Sequence, residues 1–440
     1  MRGAKEIAAA PRYALREARC IGSLLPPGLA APDAQGLARI DLVVEDGRVA
    51  EIAPAGAGVG AELPGLALAG AIVLPCFVDA HTHLDKGQIW ARAPNADGTF
   101  DSALAAVAAD REKNWNAEDV AARMEFGLRA AYAHGTRALR THIDSVGAQT
   151  RISWPVFAAL RERWRGRVEL QGSPLFGVNL VADPAHMRDV EDMVEAHGSG
   201  ILGAVAFMIP ELQAALDALF ALAARKGWDL DFHADETGDP EAVALGMIAE
   251  TALERRFAGR ILVGHCCSLS VQGEATFART LDLVARAGLH VVSLPMCNMY
   301  LQDRQAQRTP RWRGVTALHE LRAAGVPVLL ASDNARDPFY AYGDLDMLET
   351  WREGARIAHL DHPVADWTSA LFEAPGRATG LGSASFAKGA PADFILTGAR
   401  SYGELFSRPQ GDRLVLRAGR AIDAAPPPYS DLDHLQGLRP

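Results

Sequence analysis

The sequence predicts an α/β fold: a (β/α)8 TIM-like barrel with a small β-sandwich domain formed from both ends of the chain. First, apolar strand-like runs alternate with helix-like stretches through the middle of the chain, as in parallel strands joined by crossover helices. Second, eight such runs can be counted. Third, strand-and-turn patterns recur at both ends of the chain. A length of 440 residues accommodates one such barrel, which commonly takes about 250 residues, and a satellite domain.

Both ends of the chain carry the pattern of short strands. In the segment 13–68, alternating apolar residues flank Asp46-Gly47, which predicts a hairpin with a tight turn. A similar pattern returns at 392–396 and 413–420. We therefore predict three parts and a tail: residues 1–70 and 383–425 as the two parts of the β-sandwich, residues 71–382 as the barrel, and residues 426–440 as the tail.

The eight barrel strands are expected where Val, Ile, Leu and Phe concentrate. They centre on residues 72–77, 137–141, 168–171, 202–207, 230–232, 261–263, 291–294 and 326–330. Apolar residues at three- and four-residue spacing predict helices between them, for example over 212–224 and 280–287. The alternative is a doubly wound open sheet, which is disfavoured because no Gly-rich phosphate-binding fingerprint follows the first run.

Composition and charge exclude several classes of protein. A formal net charge of -10 without a dense basic run argues against a nucleic-acid partner. The start of the chain lacks the apolar core of a signal peptide, and no apolar stretch is long enough to span a bilayer. The five cysteines are too few and too scattered for a disulfide scaffold. We expect a cytoplasmic protein without a membrane partner, and leave open whether it forms a homo-oligomer.

The stretch 73–86 organises the chemistry of the chain, because its apolar run ends in His81-Thr82-His83. Side chains two residues apart on a strand point the same way, so both imidazoles leave on one face. Such a pair suits a divalent ion. Two structural histidines at a strand end are the alternative for this motif taken alone.

Polar side chains that can bind metals or transfer protons follow the other apolar runs as well. They are His142 and Asp144, His233 and Glu236, His265, Asn298, and Asp333 with Asn334. Active residues of a (β/α)8 barrel lie at the carboxyl ends of its strands. The repetition of this pattern at several strand ends therefore favours an active site over a chance arrangement.

The candidate metal ligands come from the first, fifth and eighth strands, and are His81, His83, His233 and Asp333. Three imidazoles and one carboxylate are enough for a catalytic ion that keeps a position for water. Glu236 is placed to take a proton from that water and deliver it to a leaving group. His265 could polarise the substrate or stabilise the developing charge. A carboxylate at a helix N-terminus is the structural alternative for Glu236.

The motifs resemble the amidohydrolase superfamily over nearly the whole chain, and within it the cytosine deaminase-like and N-isopropylammelide amidohydrolase-like branches. They lie at 81–85, 233–236, 265, 295–302, 313–316 and 333–340. The resemblance implies one divalent ion, Zn or Fe with Mn as a further option, held by the four candidate ligands. It also implies that Glu236 shuttles protons, that His265 activates the water or holds the oxyanion, and that Asp333 assists as a base.

Three positions depart from the cytosine deaminase pattern. Cytosine deaminases carry a Gln after a Pro near the end of the third strand, where it reads the pyrimidine edge, but Pro174 is followed by Leu175. Asn334 stands in place of a second Asp, which replaces a carboxylate by an amide. Lys86 resembles the aminotriazine branch. An ion pair with Asp85 or a helix start is the alternative to a substrate contact for Lys86.

The resemblance implies a metal-dependent hydrolytic deaminase. Its substrate would be an amino-substituted N-heterocycle, a cytosine-like pyrimidine or an aminotriazine, from which it releases ammonia or a small amine. Two alternatives remain: a cyclic or linear amide hydrolase with the same metal site, and a catalytically silent small-molecule-binding protein. The residues expected to bind substrate are Lys86, Leu175, Asn298, Gln302, Asn334 and Phe339. One ion is favoured over two, because residues 206–210 offer no Lys to bridge a second ion.

Overall fold

The computed structural model describes residues 4–437, so the first three residues of the chain and the last three of the predicted tail lie outside it. Two parallel sheets and two largely antiparallel sheets make up the strands of the described part. The strands are β1 (Arg12–Ile21), β2 (Leu37–Glu45), β3 (Arg48–Pro54), β4 (Gly65–Ala67), β5 (Val73–Pro75), β6 (Phe77–Thr82), β7 (Thr136–Asp144), β8 (Glu169–Leu175), β9 (Ile201–Ala206), β10 (Asp229–Ala234), β11 (Ile261–His265), β12 (His290–Ser293), β13 (Val328–Leu330), β14 (Phe394–Leu396), β15 (Leu414–Arg417) and β16 (Arg420–Ala421).

Helices lie between the strands of the parallel sheets and in the segments before and after them. They are α1 (Ala4–Ile7), α2 (Phe100–Asn114), α3 (Ala117–His134), α4 (Gln149–Trp164), α5 (Pro184–His197), α6 (Leu212–Lys226), α7 (Ala244–Arg255), α8 (Glu274–Ala287), α9 (Pro295–Leu301), α10 (Leu318–Ala323), α11 (Met347–Ile357), α12 (Ser369–Phe372), α13 (Ala374–Thr379), α14 (Tyr402–Ser407) and α15 (Asp433–Gln436). Short 3-10 helices lie at Gly22–Leu24, Val178–Leu180, Cys267–Val271, Val364–Trp367 and Tyr429–Leu432. Among the described helices, none combines the length and the apolar character needed to cross a membrane.

The parallel strands follow one another in space in the order in which they occur along the chain. One sheet has the order β6-β7-β8 and the other runs from β9 to β13. Isolated parallel bridges join the ends of the two sheets, between Gly177 and Val205 on one side and between Thr82 and Asp333 on the other. Each predicted barrel strand overlaps an observed one, and all their carboxyl ends come to one edge.

The first predicted strand, residues 72–77, is wrong as a single element. Its first part is β5, which pairs with β14 in a terminal sheet, whereas β6 begins at Phe77 and pairs with β7. The change of partner occurs at Pro75 and Cys76, where Pro75 has no N–H to donate and the N–H of Cys76 bonds to Asp393. Because every residue from Val73 to Thr82 is buried, the hydrophobic pattern carries no sign of the switch.

The α3-β7 connection shows how the sequence sets one of these crossovers. Asn116 caps the start of α3 by accepting from the backbone N–H groups of Glu118 and Asp119. Gly135 ends the helix at φ 97°, a left-handed conformation that favours glycine. A Cβ at Gly135 would also lie 2.5 Å from Ile395, so the close approach of the terminal sheet requires a glycine here.

The first and last parts of the described chain contact each other. The hairpin of β2 and β3 turns at Asp46-Gly47 with Glu45 opposite Arg48. The first and last segments are joined by the β5-β14 pairing and by the hydroxyl of Tyr13, which donates to the carbonyl of Gly419 at 2.6 Å. These contacts bring the N-terminal and C-terminal sheets against each other.

The predicted tail forms two short helices that pack on the loops after β6 and β13. The ring of Tyr429 lies 4.1 Å from the guanidinium of Arg336, and the side-chain amide of Gln436 donates to the carbonyl of Gln88 at 3.2 Å. Arg92 donates to the carbonyl of Leu435 at 3.2 Å. The last described residues therefore support the carboxyl-end edge of the parallel strands.

Candidate active site

The four predicted metal ligands come together at the carboxyl ends of β6, β10 and β13. Nε2 of His83 lies 3.2 Å from Oδ1 of Asp333 and 3.3 Å from Nε2 of His233. Nε2 of His81 lies 3.5 Å from the same Asp333 oxygen. Ligand atoms at about 2.0–2.1 Å from a tetrahedral ion would be separated by about 3.3–3.4 Å. The spacing of His81, His83 and Asp333 therefore fits a small cation, and His233, in contact with His83, completes the ligand cluster of His81, His83, His233 and Asp333.

The buried atoms of the ligand cluster lack partners that a cation would supply. Nε2 of His81 and both carboxylate oxygens of Asp333 are buried and have no hydrogen-bond partner among the described residues. Burial raises the pKa of Asp333 to about 7, because its charge is not balanced in the protein interior. Unpaired buried polar atoms are unfavourable, so this donor set fits a bound divalent ion.

Burial also keeps the imidazoles of the ligand cluster neutral. It is the largest cause that lowers the pKa of His81, His83 and His233 well below the usual value, and neighbouring positive charges add to it. A metal ion binds the neutral imidazole. The electrostatics of the site therefore favour the protonation state that metal binding requires.

Glu236 and His265 form a close carboxylate–imidazole pair beside the ligand cluster. Oε1 of Glu236 lies 3.2 Å from Nδ1 of His265 and also accepts from the side-chain amide of Asn298 at 3.2 Å. Burial lowers the pKa of His265, but the Glu236 carboxylate outweighs it and the pKa is raised above its usual value. Nε2 of His265 is buried without a partner, which leaves it available to a substrate.

Two residues of the site have left-handed backbone conformations. His265 has φ 71° and Asp333 has φ 67°. Such values are uncommon for residues other than glycine and concentrate at functional sites. The chain therefore turns sharply at the end of β11 and just after β13. These turns direct His265 towards the ligand cluster and bring Asp333 into it.

Lys86 forms an ion pair, although with a different partner from the one predicted. The alternative partner Asp85 is wrong, because Nζ of Lys86 lies 3.1 Å from Asp144, which also accepts from Arg111 at 2.8 Å. Asp85 instead accepts the backbone N–H of Asp144. Burial lowers the pKa of Lys86, yet Asp144 outweighs it and the pKa is raised. Lys86 remains charged and lies 5.1 Å from the ring centroid of Phe339.

The remaining predicted substrate residues are placed differently from one another. Gln302 donates to the backbone carbonyl of Glu236 at 3.1 Å. Asn334 instead donates to the carboxylate of Asp337 at 2.7 Å. Leu175 is the buried last residue of β8 and pairs in register with Asp144. The described hydrogen bonds thus bring Gln302 to Glu236 and hold Asn334 as part of a loop.

Two residues around the site were missed at the sequence level. Asp231 is buried two residues before His233 on β10 and bonds to Arg140 at 2.7 Å. An acidic residue inside an apolar strand was the available signal, because a buried charge needs a partner. Thr316 donates to the backbone carbonyl of His265 at 2.5 Å. In the sequence, Thr316 stands out only as the last residue of the motif 313–316, and that motif does not indicate this contact.

Comparison with known proteins identifies the family. Residues 157–421 match a model described as "Amidohydrolase family". The chain belongs to the amidohydrolase family. It is 49% identical over 429 residues to a pterin deaminase of Rhizobium rhizogenes, which covers 97% of this chain and 98% of that protein.

Solved structures of amidohydrolases share the fold. A 5-methylcytosine deaminase from Klebsiella pneumoniae liganded with 5-fluorocytosine superposes with a TM-score of 0.80 and 23% identity, over 94% of this chain and 97% of that one. An N-isopropylammelide isopropylaminohydrolase from Burkholderia multivorans superposes with a TM-score of 0.73 and 26% identity, over 94% and 98%. The predicted hydrolytic deaminase acting on an N-heterocycle is confirmed.

Proposed function

We propose that this amidohydrolase removes the exocyclic amine of pterin and releases ammonia. The observation that carries the proposal is the 49% identity to the Rhizobium pterin deaminase over 97% of the chain. Pterin carries a ring carbonyl and an exocyclic amine on the two carbons that flank one nitrogen of its pyrimidine ring, which is the functional pattern expected from the sequence. Its second ring makes it larger than cytosine and adds a flat aromatic face, which can pack against Leu175.

One divalent ion would be held by the ligand cluster. Zn or Fe suits the three imidazoles and one carboxylate, and Mn is a further option. When bound, such an ion lowers the pKa of a water ligand towards neutrality. The separations of 3.2 to 3.5 Å within the cluster and its unpartnered atoms support a single ion.

Proton transfers are assigned to Glu236, His265 and Asp333. Glu236 takes one proton from the attacking water and delivers it to the ring nitrogen, and it then carries the second proton of the water to the exocyclic nitrogen. A carbon–oxygen bond forms and the carbon–nitrogen bond breaks; the amine leaves as ammonia with one proton of the water, and the other stays on the ring nitrogen of the product. Nε2 of His265 stabilises the charge that develops on oxygen, and Asp333 acts as a base. The 3.2 Å contact of Glu236 with His265 supports their coupling.

Substrate positioning is assigned to residues around this centre. Asn298 has a buried side-chain oxygen without a partner, which can accept from a ring N–H or an amine. Lys86 and Phe339 form a charged and aromatic corner, and Leu175 an apolar wall. Gln302 and Asn334 act less directly, since Gln302 holds the backbone of Glu236 and Asn334 holds the loop of Asp337.

The finer architecture is part of the same proposal. The bridges at both ends of the parallel sheets support a closed barrel within residues 71–382 that begins at β6. The contacts of Tyr13 with Gly419 and of Arg48 with Pro391 support one β-sandwich of residues 1–70 and 383–425, to which β5 adds residues 73–75. Five free, buried thiols support a reducing compartment, such as the cytoplasm. The proposal leaves the enzyme's homo-oligomeric state to direct measurement.

The experiment that tests the substrate is a comparison of ammonia and amine release. Purified protein loaded with Zn, Fe or Mn is assayed with pterin, cytosine, isocytosine, ammelide and N-isopropylammelide. We expect pterin to have the highest kcat/KM by an order of magnitude or more. Turnover of cytosine in preference to pterin would contradict the proposal, and binding of pterin without turnover would favour a silent binding protein.

An N-alkyl aminotriazine is the second candidate substrate. The observation that favours it is the 26% identity and 0.73 TM-score to the Burkholderia N-isopropylammelide enzyme. Release of isopropylamine from N-isopropylammelide, measured in the same assay, would replace pterin by this candidate if ammonia release from pterin stayed at background. Hydrolysis of a cyclic amide without either activity would support the amide hydrolase alternative.

A further inference from the structure

A chain of four buried polar groups runs from the ligand cluster to the interior between the strands. Nδ1 of His81 lies 3.1 Å from Nε2 of His142. The same nitrogen of His142 lies 3.8 Å from Oδ1 of Asp231, and the other oxygen of Asp231 accepts from Arg140 at 2.7 Å. All four side chains are at most 1% exposed. Such a buried arrangement needs a reason, because each of these groups is unfavourable when it is isolated from water.

The strands place these groups in two layers. On β7, Arg140 and His142 are two residues apart and therefore point to one side. On β10, Asp231 and His233 are related in the same way. Arg140 and Asp231 thus form a lower layer, and His142 lies above them beside His81 of β6 and His233. The lower layer lies beneath the imidazoles of the ligand cluster.

We propose that His142 is a positioning residue for metal ligand His81. A neutral histidine that binds a metal through Nε2 carries its proton on Nδ1, and that N–H needs an acceptor. Nε2 of His81 faces Asp333 in the ligand cluster, whereas its Nδ1 faces Nε2 of His142. His142 therefore accepts the Nδ1 proton of His81, which fixes the tautomer and the ring orientation that metal binding requires. This inference rests on the proposed role of His81 as a ligand.

Asp231 and Arg140 hold this arrangement from below. Arg140 also donates to the side-chain oxygen of Gln171 at 3.1 and 2.9 Å, so its guanidinium is held on two sides. The carboxylate of Asp231, paired with Arg140, lies 3.8 Å from Nε2 of His142 and keeps that ring in place beside His81. His81, His142 and Asp231 could in principle share a second cation, but the guanidinium of Arg140 already supplies the positive charge that balances Asp231.

The test compares two substitutions of His142 by metal affinity. His142→Leu removes the acceptor at similar volume, and we expect the affinity for Zn2+ or Co2+, measured by competition with a chelator, to fall by roughly ten- to a hundredfold. His142→Gln keeps an acceptor at similar reach, and we expect it to restore most of that loss. The visible absorption of the Co2+-loaded protein should change for the Leu variant and remain close to the parent for the Gln variant.

A matched control uses His290, a partly buried histidine at the opposite end of the strands, at the start of β12. His290→Leu should leave metal affinity and the Co2+ spectrum unchanged. Equal affinity and equal spectra for all variants would overturn the role of His142, as would an equal loss in the Leu and Gln variants. If the parent protein itself binds no metal, the proposed ligand cluster fails instead. Because metal binding is measured without substrate, an incorrect substrate assignment would leave these results intact.

Discussion

Two buried clusters of charged and polar side chains lie near the carboxyl ends of the strands, and they are built in opposite ways. In the first, Arg92 and Arg123 surround Asp110 and Asp119, and all four side chains are at most 9% exposed. Each carboxylate accepts several hydrogen bonds, including one from Trp115 to Asp110 at 2.7 Å. The positive and negative charges of this ion-pair cluster balance.

The ligand cluster is buried to the same degree, but its polar atoms lack the hydrogen-bond partners that the carboxylates of the ion-pair cluster have. Asp333 receives no hydrogen bond on either oxygen among the described residues, and Nε2 of His81 has none either. Burial alone therefore does not mark a functional site. Buried polar atoms that are aimed at one point and left without partners do mark one.

The largest expected effect is on the chemistry beside the ligand cluster. Glu236→Gln removes the group that carries protons, so kcat/KM should fall by roughly 10²- to 10⁴-fold. Metal content should stay at the parent level, since Glu236 is not a ligand. Steady-state kinetics and elemental analysis of the same preparation check both statements. A variant with near-parent activity would show that another residue performs the proton transfers.

The next effect is on the stability of the ion-pair cluster. Asp119→Asn leaves the buried Arg92 and Arg123 without one of their counter-ions, and the free energy of unfolding should decrease by roughly 3–5 kcal/mol. Denaturant unfolding measures it. Metal affinity should be unchanged, because Asp119 is not part of the ligand cluster; a loss of metal comparable to that of a ligand variant would contradict the separation of the two clusters.

The same aspartate gives the pH dependence of this stability. Burial raises the pKa of Asp119, but its hydrogen bonds to Arg92 and the charge of Arg123 outweigh burial, and the pKa is lowered. The folded state therefore binds the proton less tightly than the unfolded chain. The stabilisation is fully present above the unfolded pKa of about 3.9 and is lost as pH falls through the lower folded value. Asp119→Asn should flatten the acid limb of an unfolding curve measured against pH.

An Asp-to-Asn substitution in the ligand cluster should raise the free energy of unfolding of the metal-free protein, whereas Asp119→Asn should lower it. Asp333→Asn removes a buried charge without a partner, so the metal-free variant should be more stable than the metal-free parent by about 1–2 kcal/mol. It should also bind metal far more weakly. Thermal or denaturant unfolding of chelator-treated samples measures this. Destabilisation equal to that of Asp119→Asn would mean that the two clusters do not differ as described.

The smallest expected effect concerns Leu175, the proposed apolar wall of the substrate site. Leu175→Gln adds a hydrogen-bonding group where cytosine deaminases carry one. The ratio of kcat/KM for cytosine to that for pterin should rise by roughly tenfold, or about 1.4 kcal/mol, with metal affinity unchanged. Leu175→Met is the matched control, since it keeps an apolar side chain. An unchanged ratio in the Gln variant would remove Leu175 from substrate selection.

Local sequence patterns predicted a large part of the fold and the site. Alternating apolar runs located the parallel strands, and the candidate ligands His81, His83, His233 and Asp333 were found because they follow those runs. The ion-pair partner of Lys86 could not be predicted from the sequence. The charge and position of Lys86 were evident, but its partner Asp144 lies on another strand, and the adjacent Asp85 was the wrong alternative.

The order of strands and helices could be read from the sequence alone, because each segment carries its own hydrophobic periodicity independently of the rest of the chain. The polar residues that follow each strand could be read in the same way. Only the tertiary structure decided that residues 72–77 serve two sheets, and that Asp231 on β10 reaches Arg140 and His142 on β7. The physical reason is that partners across a fold are selected by packing and charge balance between distant segments, which no single segment records.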